Sequence, residues 1–238
     1  MPYYDFWREK GITRIGQHWS LKAAAYTLDA IRQVLPTPGQ VIEIGPGRGP
    51  FASVCHQHRL RYTAVDANPG LLQRLPASDG VCSFVPPIPL RDGVADVVVA
   101  NHVLEHASGL PQAEAMLREM RRIVRPGGCI ALTTPDLLWY GNYFWDCDYS
   151  HNFPTSARRL QQLFIDQQLE VQVLRYVHNH LSGWQGTLIG RAVQLVPYRL
   201  PGALPNSPHY SDQIYKARLT FARCVLIIGR RPAREQHG

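Results

Sequence analysis

The chain has 238 residues, 45% of them apolar, which suits one α/β domain with a real core. Its formal net charge of +7 favours anionic partners, but no dense basic run carries interleaved aromatics, which argues against nucleic acid. No apolar run of about 18 residues occurs, so no transmembrane helix is expected. The five cysteines are dispersed without a CxxC pair, a pattern of reduced thiols that points to a cytoplasmic protein.

In chain order, residues 1–35 read as an aromatic N-terminal cap. Tyr3, Tyr4, Phe6, Trp7, His18 and Trp19 are too aromatic for a disordered tail, and the opening MPYYDFWREKG has no signal-peptide apolar region. Ser20 is placed to cap a helix to Leu35, with Leu21, Ala24, Ala25, Leu28 and Ile31 on one stripe. The apolar run of Val41, Ile42 and Ile44 predicts a buried strand, which stops at Gly45. Gly47 and Gly49 follow at alternate positions, and Pro50 suits the first turn of a helix from Phe51 to Leu60. Strand, glycine loop and helix N-terminus make a site for a nucleotide-like ligand. Glu43, the one charge in the strand, can accept hydrogen bonds from a cationic or hydroxylated ligand. The dinucleotide fingerprint wants a small residue at position 50, so Pro50 counts against NAD.

A second strand, YTAVD, ends in Asp66, and Asn68 is placed to cap a helix opened by Pro69. Asp66 lies 21 residues beyond Gly45 and should face the same crevice, where a carboxylate suits a ribose diol. Further strands are predicted at 81–85, 96–100, 129–135, 171–177 and 221–229. A helix runs from Pro111 to Arg125, and another is capped by Thr155. Alternating strands and helices predict a mainly parallel, doubly wound sheet in a single domain. The stretch 183–213 stands between the last two strands as an insertion. Leu188, Ile189, Ala192, Leu195 and Val196 form an apolar face flanked by Arg191 and Arg199, suited to cover a pocket, to dimerise or to touch a membrane surface.

The segments VIEIGPGRG, YTAVDANPG, ADVVVANHVLEH, MLREMRRIVRPGGCIALTTP and DYSHNFPTSARRLQQLF together resemble the class I S-adenosylmethionine-dependent methyltransferases. The likeness is to the small-molecule branch with ubiquinone-pathway, glycan and secondary-metabolite enzymes. The resemblance implies a Rossmann-like sheet of seven strands with the last antiparallel and helices on both faces. It implies that Gly45, Gly47 and Gly49 let backbone approach the methionine part of the cofactor, with Glu43 near its amino end. Asp66 would bind the ribose hydroxyls, and Asn101 would line the methionine side. Two departures stand out. The acidic residue that usually reads adenine after the third strand is missing from CSFVPP. Gln168 occupies a helix-ending position usually held by Gly, at a cost of about 1 kcal/mol if it is left-handed.

Methyl transfer to a hydroxyl needs proximity and a base. His102, Glu105 and His106 would share one face of a helix, so His106 is a candidate base, or the three are a candidate metal set. His151, in a loop after the fifth strand, is a second catalytic candidate. For both histidines a purely structural role competes. The implied acceptor is a small, sugar or lipid-linked molecule, methylated on oxygen. Two rivals remain: an inactive binding protein of the same fold, and a zinc hydrolase, since HVLEH matches HxxEH.

Overall fold

The computed structural model describes residues 14–76, 79–178, 184–196, 214 and 217–233. The aromatic stretch 1–13 and residues 197–213, Arg199 among them, lie outside the described residues. The elements run α1 (Arg14–Val34), β1 (Gln40–Ile44), α2 (Pro50–Gln57), β2 (Arg61–Asp66), α3 (Pro69–Leu72), β3 (Asp79–Cys82) and β4 (Ala95–Asn101). After a 3-10 turn (Leu104–His106) come α4 (Leu110–Ile123), β5 (Val124–Pro135), α5 (Leu137–Tyr140), α6 (Tyr143–Asp146), α7 (Ala157–Asp166), β6 (Glu170–His178), α8 (Trp184–Leu195) and β7 (Arg223–Arg230).

The seven strands form one sheet in the order β3-β2-β1-β4-β5-β7-β6. β7 pairs antiparallel with both β5 and β6, and the other pairings are parallel. The expected doubly wound sheet with an antiparallel last strand is therefore present. Side chains alternate across each strand. Ile42, Ile44, Val98 and Ala100 pack toward α4 and α7, while Val41, Val97 and Val99 pack toward α1 and α2. Helix α4 forms because Ala113, Met116, Leu117, Met120 and Ile123 recur at helical spacing, and all five are buried. Each fully buried Leu, Ile or Met contributes about 1.5–3 kcal/mol, so a stripe of several outweighs a single cap of about 1 kcal/mol.

That difference explains two misplaced helix starts. Helix α1 begins at Arg14, and Ser20 sits inside it, its hydroxyl donating to Gly16 O at 2.9 Å. Ser156, not Thr155, caps α7, accepting from Arg159 N–H at 3.4 Å. Thr155 is buried and donates instead to Pro135 O at 2.5 Å, tying this loop to the end of β5. The expected stop at RPGG moves as well: α4 ends at Ile123, and residues 124–128 already belong to β5. Gln168 does adopt the left-handed conformation, with φ 54°.

Candidate active site

Register aligns the carboxyl ends of three strands. Ile44 pairs with Val65 on one flank and with Ala100 on the other. The next residues, Asp66, Gly45 and Asn101, therefore lie in a row along the carboxyl edge of β2, β1 and β4. In a doubly wound sheet this edge, where the chain order reverses about β1, is the ligand crevice. Gly45 donates its N–H to Val65 O at 2.8 Å, at φ 64°. A Cβ there would lie 2.6 Å from Val103 Cγ2, so both backbone angle and space demand glycine. Gly47 and Gly49 are left-handed too, at φ 55° and 75°, and Pro50 opens α2 directly behind them. A cavity of about 150 Å³ adjoins the loop, lined by Gly47, Arg48, Leu71, Arg74 and Leu75.

Asp66 Oδ1 accepts the Asn68 N–H at 2.7 Å, which leaves its second oxygen for a ligand. Burial raises its pKa, opposed by that Asn68 bond. Glu43 is only 2% exposed, two residues before the glycine turn. Tyr62 OH donates to its Oε2 at 2.5 Å, and Asn101 Nδ2 donates to its Oε1 at 3.4 Å. Burial pushes the Glu43 carboxyl up to about 7. Glu43 thus ties the Asn101 amide at the end of β4 to the end of β1. No acid follows β3; instead Phe84 stands 76% exposed after Cys82, which pairs with Asp66. Sequence reading passed over this ring.

The expected helix over 102–106 does not form. His102 bends away from β4 at φ 56°, and only Leu104–His106 makes a 3-10 turn. His102 Nδ1 meets Glu105 Oε1 at 3.2 Å, but its side chain is 41% exposed. The HxxEH stretch therefore lacks the long helix that a zinc hydrolase of that kind requires. Instead Glu105, His106 and His151 converge, with ligand atoms within 4.8 Å of one another. Their ring neighbours are close as well: the His106 and His151 centroids are 5.0 Å apart, and those of His151 and Phe144 are 4.9 Å apart. Burial lowers the pKa of His151.

Beside this cluster is an aromatic cavity of about 220 Å³, lined by Trp139, Tyr140, Tyr143, Gln194, Arg218 and Ala222. Burial first, then the neighbouring Cys224 and Cys147 and last Glu105, holds the Tyr140 phenol well above its ordinary pKa. Asp136 builds the cavity wall. Its Oδ1 caps α5 by accepting from Leu138 N–H at 3.3 Å, and its Oδ2 accepts from Arg223 Nε at 2.8 Å. Arg223 lies over the rings of Trp139 and Tyr176, which fixes the indole. Helix α8 closes the other side: Gln194 Nε2 donates to Trp139 O at 2.8 Å. A Cβ on Gly190 would lie 2.7 Å from Phe221 O, so glycine permits this contact. The packed side of α8 is thus its glycine side, while Leu188 and Leu195 are exposed. Arg191 lies over Trp139, its guanidinium carbon 5.2 Å from the ring centre. Sequence reading did not single out Trp139, Tyr140 or Tyr143.

The family model described as "Methyltransferase domain" matches residues 17–184, well over half of the chain. The chain belongs to this methyltransferase family, within the class I, S-adenosylmethionine-dependent type. Over 102 residues it is 34% identical to the malonyl-[acyl-carrier protein] O-methyltransferase of Serratia marcescens, covering 41% of this chain and 39% of that protein. The chain thus spans about two fifths of the length of that curated relative. Its fold matches a SAM-dependent methyltransferase from Archaeoglobus fulgidus at TM-score 0.60 and 16% identity, covering 87% of this chain and 94% of that one. It also matches the Burkholderia thailandensis 1,6-didemethyltoxoflavin-N1-methyltransferase at TM-score 0.57 and 14% identity, covering 88% and 78%. The residues present fit S-adenosylmethionine. The left-handed glycine turn leaves no side chain against the methionine part, and Asp66 keeps one carboxylate oxygen for the ribose diol. No described helix is long and apolar enough to cross a membrane.

Proposed function

We propose that the chain transfers the methyl group of S-adenosylmethionine to an oxygen of a small or carrier-linked acceptor. The observation that carries this reading is the row Asp66–Gly45–Asn101, with Glu105 and His106 just beyond it on the turn after β4 and His151 brought against them from the loop after α6. Bound S-adenosylmethionine supplies a methyl group already activated on a sulfonium. The protein's part is to hold donor and acceptor in line, and proximity alone is worth several kcal/mol. Gly45 and Gly47 give the methionine part backbone contact, Asp66 holds the ribose and Asn101 the methionine side. His106 and His151 meet the acceptor's oxygen. The aromatic cavity takes the acceptor's planar or apolar portion, with Arg218 and Arg191 at its rim for an anionic group.

An oxygen acceptor is supported by the side chains present, two imidazoles and a carboxylate. It is also supported by the O-methyltransferase relative, which acts on a carrier-linked acid. A sugar or lipid-linked phosphate is the other acceptor type that suits the arginines. The test incubates the protein with methyl-labelled S-adenosylmethionine and a panel of carrier-linked acids, hydroxylated small molecules, sugar phosphates, peptides and RNA. Base-stable label on an oxygen of a small molecule, or base-labile label on a carrier-linked acid, supports the reading. Label only on peptides or RNA overturns it.

A further inference from the structure

We propose that Glu105, His106 and His151 form a binding site for a divalent transition cation, with an open position facing the acceptor. Their ligand atoms lie within 4.8 Å of one another, so a small inward shift of the side chains brings all three to the distances of one ion. The residues come from two separate segments, the turn after β4 and the loop after α6.

The carboxylate is the first argument. Glu105 is fully buried. Its Oε1 faces His102 Nδ1, but its Oε2 has no hydrogen-bond partner among the described residues. Burying a carboxylate oxygen without a partner is strongly unfavourable, and a cation removes that cost. The backbone of the same residue is held firmly: its carbonyl accepts the N–H groups of Asn152 and Phe153 at 2.9 and 3.0 Å. Those bonds bring the His151 loop against the Glu105 turn.

The imidazoles are the second argument. His151 is 7% exposed, and its Nδ1 lies 2.7 Å from Phe144 O. A carbonyl only accepts, so Nδ1 carries the proton and Nε2 carries the lone pair that a metal needs. His106 Nδ1 lies 2.8 Å from Ser150 Oγ, and Ser150 Oγ donates to Asp148 Oδ1 at 2.6 Å. With its own hydrogen given to Asp148, the serine oxygen accepts from His106 Nδ1–H. Both rings thus donate Nδ1–H to a fixed acceptor, the outer arrangement that orients histidine ligands of metals.

The donor set selects the ion. Two imidazole nitrogens and one carboxylate oxygen suit Zn²⁺, Co²⁺ or Fe²⁺, and suit Mg²⁺ and Ca²⁺ poorly. Three protein ligands with a remaining position is the catalytic kind of zinc site. Its use in catalysis rests on the methyltransferase reading, while ion binding does not. An acceptor hydroxyl on the ion loses its proton to solvent more readily. The oxygen's lone pair then forms the new C–O bond as the C–S bond breaks, and that bond's electron pair stays on sulfur.

The test uses the full chain, dialysed against chelator and titrated with Zn²⁺, with Co²⁺ and, as a control, with Mg²⁺. We expect one equivalent of Zn²⁺ or Co²⁺ to bind, a visible Co²⁺ absorption band, and no binding of Mg²⁺ at the same concentration. Glu105→Gln and His151→Ala should each weaken Zn²⁺ at least about 30-fold, and Ser150→Ala about 10-fold by freeing His106. S-adenosylhomocysteine binding, measured on every variant, confirms that each is folded. Folded parent that binds S-adenosylhomocysteine but neither Zn²⁺ nor Co²⁺ overturns the site, as does equal Zn²⁺ affinity in parent and variants. An ion-loaded parent without methyl transfer to any acceptor would instead overturn the activity and leave the ion site standing.

Discussion

Tyr62 donates its phenolic hydrogen to Glu43 Oε2 at 2.5 Å, joining β2 to β1 directly below the glycine turn. Tyr62 is itself 9% exposed, so this is a buried polar pair with Asn101 as its third member. The pair sets the floor of the cofactor crevice, and it carries a pH signature. Burial lifts Glu43 to about 7 from its ordinary 4.5. The folded state therefore favours the protonated carboxyl. Stability from this group is fully present below about pH 4.5 and is lost as pH rises through about 7, in all some 3 kcal/mol. Glu43→Gln keeps an acceptor for Tyr62 and removes the charge. Denaturant unfolding at pH 5 and pH 8 should show the parent losing about 2–3 kcal/mol more than Glu43→Gln across that interval. Equal losses in the two proteins would show that Glu43 does not titrate there.

Asp66 makes the second case. One of its oxygens is committed to Asn68 N–H, so only the other meets the ribose. Asp66→Ala should weaken S-adenosylhomocysteine binding by about 1–3 kcal/mol, the scale for a hydrogen bond to a charged group. In Kd this is about 5- to 150-fold. Calorimetry reads it directly, and an unchanged Kd would move the cofactor away from the β2 edge. Asp66→Asn separates charge from shape and should lose less than Asp66→Ala.

The sheet was legible because its signal is local. Apolar runs mark β1, β4 and β7, and each run sits in the strand it predicts. Gln168 was placed at a left-handed helix end by the family resemblance and not by a local signal, and its backbone does adopt φ 54°. Helix starts were less so, because buried stripes outweigh hydroxyl caps: Ser20 ended inside α1, and Thr155 gave its cap position to Ser156. The neighbouring places of Gly45 and Asp66 were readable from spacing, because parallel register carries them, while Asn101 came only from the family resemblance. The Glu105–His151 approach was not. It depends on the Glu105 carbonyl holding the 152–153 backbone across nearly fifty residues, and no periodicity records that contact. The cavity at Trp139 was hidden likewise, since its walls come from α5, α6, α8 and the segment before β7.

The missing adenine acid leads to a third expectation. Cys82 pairs with Asp66, so the chain just after β3 lies beside the carboxylate proposed for the ribose. Phe84 is 76% exposed there, a large ring with little protein around it. An exposed aromatic beside the ribose can stack on the adenine face, and such pairs are worth about 0.5–1.5 kcal/mol beyond their area. Phe84→Ala should therefore weaken S-adenosylhomocysteine binding about 3- to 10-fold, with no loss of thermal stability because the ring is solvent-exposed. Phe84→Tyr should bind like the parent. A Phe84→Ala protein with full affinity would assign adenine recognition to backbone groups of this loop instead.

The last expectation concerns the acceptor. Tyr143 stacks on Tyr140 with ring centres 5.8 Å apart, and Arg218 lies over the Tyr143 ring at 5.9 Å. Tyr140 and Trp139 are buried and hold the wall together, so removing either endangers the fold. Tyr143 is only partly buried, and is the better probe. If the cavity seats the acceptor, Tyr143→Ala removes one aromatic face, at a cost of about 0.5–1.5 kcal/mol. The acceptor KM should rise about 3- to 10-fold, while S-adenosylmethionine affinity and the kcat at saturating acceptor stay near the parent values. That split is diagnostic, because a loss of uniform binding raises KM alone. Tyr143→Phe should retain the parent KM, since stacking needs the ring and not the hydroxyl. An unchanged KM and kcat would place the acceptor elsewhere and remove the aromatic cavity from the functional site.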